Sequence, residues 1–79
     1  MLSKLITMKH KEFLSSLSDD QIKRMIDDVH ELHYDVGELP KDSMVRELAR
    51  IVSSDYNLPF NLMLGENVLM WEVYKRFKS

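Results

Sequence analysis

Asp27, His30 and His33 stand three apart on one stretch of this chain, with Asp28, Glu31 and Asp35 beside them. An imidazole and a carboxylate one helical turn apart can share a metal ion, as in the Glu-x-x-His unit of di-iron bundles. Such a centre also needs inward carboxylates from other helices. The other helices offer Glu12, Glu47, Glu66 and Glu72, mostly at positions expected to face outward. His33 lies on the apolar stripe of its segment and His30 on the flank. Both are expected as boundary histidines bonded to backbone or to a carboxylate, giving a weak pH response rather than a catalytic metal.

Nucleophilic chemistry has less to work with. The chain has no Gly-x-Ser-x-Gly elbow, no glycine-rich phosphate loop and no Ser-x-x-Lys pair. Its lack of cysteine removes a disulfide scaffold, a zinc ribbon, an iron–sulfur site and a thiol nucleophile. A pocket of enzyme size is hard to build in 79 residues without exhausting the core. The expectation is a non-enzymatic protein with no metal, no cofactor and no small-molecule substrate.

Leu39-Pro40-Lys41-Asp42-Ser43-Met44 is similar to the Leu-Gly-x-Asp-Ser-Leu motif of acyl carrier proteins. In that family the serine begins a helix and carries phosphopantetheine, so the resemblance implies modification at Ser43. Pro40 replaces the family's glycine, and Arg46 and Arg50 follow where the family is typically acidic. Read from the residues alone, Asp42 or Ser43 caps a helix. Glu47-Leu48-Ala49-Arg50-Ile51-Val52 resembles the first helix of a helix-turn-helix, where a small residue allows close crossing. That resemblance implies a DNA-binding regulator. The turn glycine is missing, Pro59 falls near the start of the reading helix, and no basic stripe lines it.

The last helix carries the strongest candidate for binding. Set at 100° intervals from Glu66, Leu69, Met70, Val73, Tyr74 and Phe77 gather on one broad face, expected to be the core face. Val68 and Trp71 fall on roughly the opposite side, beside Lys75 and Lys78. One small core cannot take both sides. Either Trp71 closes the end of the core under a neighbouring segment, or it is exposed. An exposed tryptophan flanked by an aliphatic side chain and lysine stems has the composition of a binding hot spot. Val68, Trp71, Lys75 and Lys78 are therefore the candidate protein-binding residues.

The elements that must position these residues follow from pattern. Two glycines, two prolines and six methionines make a helix-former's composition. Leu2, Ile6, Phe13, Leu14 and Leu17 fall near one stripe, with His10 on the same line. Ser18-Asp19-Asp20-Gln21 is a capping box, followed by Ile22, Met25, Ile26, Val29, Leu32, His33 and Val36 at spacings of three and four. Gly37 sits where a C-terminal cap would, with Pro40 beyond it. Met44, Val45, Leu48, Ile51 and Val52 form the third stripe. Residues 56–65 read either as a loop or as a short helical turn opened by Pro59. Lys75, Arg76 and Lys78 suit the negative end of the last helix dipole.

These patterns predict an all-α fold: a single compact, bundle-like domain over residues 1–79, with helices near 3–16, 19–36, 41–53 and 66–77. Net charge is −2 but unevenly spread, because residues 19–38 hold seven acidic against two basic side chains. An acidic second helix between mildly basic chain ends steers partners more than it holds them. The longest apolar runs reach three or four residues, too short to cross a membrane, and the opening residues lack a signal-peptide core. A cytosolic location is expected. By elimination the product is a surface: a small regulatory or inhibitory protein that binds another protein or itself. Neither nucleic acid nor a membrane is the expected partner.

Overall fold

The computed structural model describes residues 8–35 and 37–78. They form four helices: α1 (Lys9–Ser15), α2 (Asp19–Tyr34), α3 (Met44–Asp55) and α4 (Leu62–Phe77). No strand occurs among the described residues, so the fold is all-α. The expected Leu2, Ile6 and Val36 lie outside the described residues.

Helix starts are set by side chains. Ser18 accepts the Gln21 N–H at 3.1 Å while the Gln21 side chain accepts the Ser18 N–H at 2.8 Å, closing the expected capping box. Ser43 caps α3 by accepting the Val45 N–H at 3.1 Å, so that helix begins at Met44 rather than near residue 41. The predicted start of the last helix moves further, from 66 back to Leu62. Asn61 caps it, its side chain accepting the Met63 N–H at 2.9 Å. Residues 56–61 form no helical turn at Pro59. Instead the Asn61 N–H donates to the buried Ser53 hydroxyl at 2.9 Å, and the Leu58 N–H to the Ser53 carbonyl at 2.9 Å. Beyond α2 the chain turns at Gly37, whose φ of +85° suits a residue without a side chain.

Leu14, Leu17, Ile22, Met25, Leu39, Val45, Leu48, Val52 and Leu69 make the core. Burying each large one contributes about 2 kcal/mol. α3 is the central helix, packed most extensively on α4, with α1 and α2 also against it. Gly65 sets the α3–α4 approach: a Cβ there would lie 2.7 Å from Ala49 Cβ and 2.8 Å from Ala49 Cα. Hence the side of α4 that carries Gly65, Leu69 and Glu72 is the buried side.

Candidate functional site

That rotation corrects the expected inner face of the last helix. Met70 and Tyr74, expected in the core, are 47% and 59% exposed, and Phe77 also reaches solvent. Glu72, expected outward, is buried. Small residues decide the outcome: α4 turns its glycine toward α3 because only there can the two backbones approach.

Burying Glu72 requires a partner, and Arg76 one turn on supplies it. The Arg76 Nε donates to the Glu72 carboxylate at 2.5 Å. One terminal nitrogen donates to Asp19 in the first turn of α2 at 3.0 Å, and the other to the Leu14 carbonyl near the end of α1 at 2.8 Å. Hydrogen bonding to Glu72 raises the Arg76 pKa against the opposing effect of desolvation, with Asp19 adding to the rise. Arg76 is therefore a tie between three helices, beyond the dipole complement expected of it.

A second tie joins α1 to the end of α3. The Asp55 carboxylate accepts the backbone N–H groups of Lys9 at 3.2 Å and His10 at 2.8 Å, and lies 2.7 Å from His10 Nδ1. Burial pushes the Asp55 carboxyl up, but the His10 and Lys9 bonds outweigh it and hold the pKa below its ordinary value. His10 is buried, as its place on the apolar stripe predicts.

The other histidines stay at the surface. His33 leaves the expected apolar stripe and is exposed, its Nε2 2.9 Å from a Glu66 oxygen, while His30 Nδ1 lies 3.5 Å from Asp35. Their chemistry is the expected pairing with carboxylates. No group of three His, Asp or Glu residues converges on a metal position among the described residues. Ser43 is buried, and its hydroxyl donates to Asp28 at 2.7 Å while accepting from Val45. A hydroxyl so placed is poorly presented to a transferase. A hollow beside it is lined by Lys41, Arg46, Arg50 and Phe60. Two of its cations are engaged, Arg46 with the Leu39 carbonyl and Arg50 with Glu47.

What remains is the outward side of α4. Met63, Met70, Trp71 and Tyr74 are exposed along it, Trp71 at 71%. The Trp71 and Tyr74 rings meet edge to face at 6.2 Å. At the α2 edge, Lys23 Nζ lies 5.5 Å from the Phe77 ring centroid, and at the helix end Lys78 Nζ lies 5.4 Å from that of Tyr74. No family model, curated protein or solved structure matches this chain. Function has to be read from this geometry.

On the α1 edge a groove of about 510 Å³ opens between the two helices. Lys11 and Leu14 of α1 face Val68, Trp71 and Lys75 of α4 across it, with Glu72 at its base. Of the residues singled out in the sequence, Val68, Trp71 and Lys75 thus share one groove. Lys78 stands apart from it, over Tyr74. Val68 is half-buried and packs on the core edge, rather than standing fully outward. The sequence reading missed Met63, Met70 and Tyr74 as surface residues and Lys11 as the opposite wall. A small residue on each of two successive helices, Ala49 and Gly65, was the available signal.

Proposed function

We propose that this chain acts by binding another protein through the outer side of α4, as a small non-enzymatic regulator or inhibitor. The observation that carries the reading is the exposure of Met63, Met70, Trp71 and Tyr74 along a single helix face. Helices that are apolar on every side are ordinarily buried on every side. Aromatic residues over an apolar patch rimmed by lysine stems have the composition of a binding hot spot. Trp71 is the anchor, Val68 the wall beneath it, and Lys75 and Lys78 the rim. The acidic surface of α2, including Asp20, Asp27 and Glu31, orients the approach by turning like charge away from that side. The proposal keeps the cytosolic setting. No helix among the described residues is long and apolar enough to cross a membrane.

The test is native mass spectrometry of the tagged protein, purified gently from its source cells, beside a Trp71→Glu variant. The expected result is a retained second chain on the wild type, lost from a variant that melts at the same temperature. Bare monomers in both samples, or a collapsed melting temperature in the variant, overturn the reading.

One observation favours a second reading, a helix-turn-helix-type DNA regulator: α3 and α4 cross closely at Ala49 and Gly65. The outer side of α4 weighs against it, since its two lysines accompany five large apolar side chains. Retardation of duplex DNA that fades steeply with salt would restore that reading.

A further inference from the structure

We propose that the occupant of the α1–α4 groove is an amphipathic helix of another protein, apolar along one stripe and acidic on its flanks. This rests on the protein-binding reading of the same surface and names the chemistry of the partner. The groove runs between two helices, with Leu14, Val68 and Trp71 as apolar walls, which is the form that receives a helix through spaced apolar anchors. Its two walls each carry an exposed lysine, Lys11 on α1 and Lys75 on α4. Lys78 over Tyr74 and Lys23 over Phe77 lie outside the groove, farther round the outer side of α4.

Charge also weighs against a symmetric pair of two α4 faces. Both carboxylates of α4 are already engaged, Glu66 with His33 and Glu72 with Arg76 and, at 3.5 Å, with the largely exposed Lys75. Two α4 faces laid together would bring lysines to lysines and offer no free α4 carboxylate to meet them. An acidic helix instead satisfies the rim from both sides while its apolar stripe covers Trp71. The patch is a groove between two helices with apolar walls, so a flat membrane surface or a hydrophilic nucleic-acid backbone fits it less well than a helix does.

Trp71 is the only tryptophan and reports directly on the groove. The experiment titrates the protein with a synthetic amphipathic peptide of about four helical turns, leucine along one stripe and glutamate on both flanks. Parallel titrations use the same peptide with glutamine flanks, the same peptide with lysine flanks, phosphatidylglycerol vesicles and a single-stranded oligonucleotide. The expected result is a saturable blue shift of Trp71 emission with the glutamate peptide, about tenfold weaker binding of the glutamine peptide, and loss of affinity as salt rises. Lys11→Glu combined with Lys75→Glu should reverse the preference toward the lysine peptide.

Equal binding of the glutamate and glutamine peptides overturns the proposal, as does preference for vesicles or oligonucleotide. Concentration-dependent dimerisation of the protein alone, lost in Trp71→Glu, overturns it in favour of a second copy. If no peptide binds while the native complex persists and is lost in Trp71→Glu, the acidic helix is wrong and the protein-binding reading stands.

Discussion

On its inner side α4 presents Gly65, Glu72 and Arg76 to the other helices, while on its outer side it presents Met63, Met70, Trp71 and Tyr74 to solvent. Both sides carry apolar residues, Leu69 among the inner ones being fully buried, so hydrophobicity alone does not choose between them. Besides the core residue Leu69, the inner side is held by two specific devices, a backbone approach that only glycine permits and a buried ion pair with a third partner. Such contacts fix geometry more than they add stability, since desolvation offsets most of the attraction in a buried pair. The contrast teaches that, among several apolar faces, close fit and ionic ties choose the one α4 buries, leaving a large apolar surface free. Substitutions on the two sides should therefore separate: inner ones act on folding, outer ones on binding.

The largest effect is expected at Arg76. Arg76→Ala leaves the buried Glu72 with only the exposed Lys75, 3.5 Å away, and frees the Leu14 carbonyl and Asp19, at a cost of about 3 kcal/mol. Denaturant unfolding measures it. Replacing both members together, Glu72→Leu with Arg76→Met, should recover most of that loss, because no buried charge is left unpaired. A single Ala variant costing less than about 1 kcal/mol, the ordinary worth of an exposed pair, would mean that the tie is solvated.

Next comes Gly65→Ala. Its methyl meets the Cα and N of Ala49, at 2.8 and 2.9 Å, as well as its Cβ, so backbone must move and no flexible side chain can yield. Overpacking of this kind costs about 3 kcal/mol, offset by about 1 kcal/mol of improved helix propensity. A net loss near 2 kcal/mol is expected in thermal or denaturant melts. A stabilised variant would mean the helices do not cross there, and the outward face of α4 would have to be redrawn.

This residue also marks where the sequence stops being legible. The capping box at Ser18 and the stripe from Ile22 to Leu32 are local patterns, and α2 forms on them as expected. Gly65 reads locally as a helix breaker ahead of Glu66, and only its meeting with Ala49 places it within α4. Apolar count then assigned Met70 and Tyr74 inward, since periodicity sees hydrophobicity and not the closeness of two backbones. The tie between Asp55 and α1 spans 45 residues and has no local signature at all. Trp71 was legible as a candidate because it could not share a face with Leu69; its neighbours across the groove were not.

Asp55 gives a smaller effect with a defined pH signature. Its folded pKa is lowered, so its contribution is present above the ordinary aspartate value of 3.8 and is lost as pH falls through the depressed folded value. Thermal melts of the wild type should weaken on acidification in that range. Asp55→Asn should cost about 1.5 kcal/mol near neutral pH and flatten that part of the acid dependence. An unchanged acid profile in the variant would show that other carboxylates carry it.

The smallest effect on folding is expected on the outer side, at the residue expected to matter most for binding. Trp71 is 71% exposed, and its ring meets Tyr74 edge to face, so Trp71→Ala removes little buried area. Alanine also favours the helix, and the net change should stay within about 0.5 kcal/mol. Loss of an interface anchor, by contrast, costs about 2 kcal/mol or more in affinity. The ratio of these two numbers is the sharpest form of the comparison between the sides of α4. A variant that melts early would place Trp71 with the core residues, and the free apolar face would shrink to Met63, Met70 and Tyr74. A variant that melts with the wild type yet releases its partner would fix the groove beside Val68 and Lys75 as the binding surface.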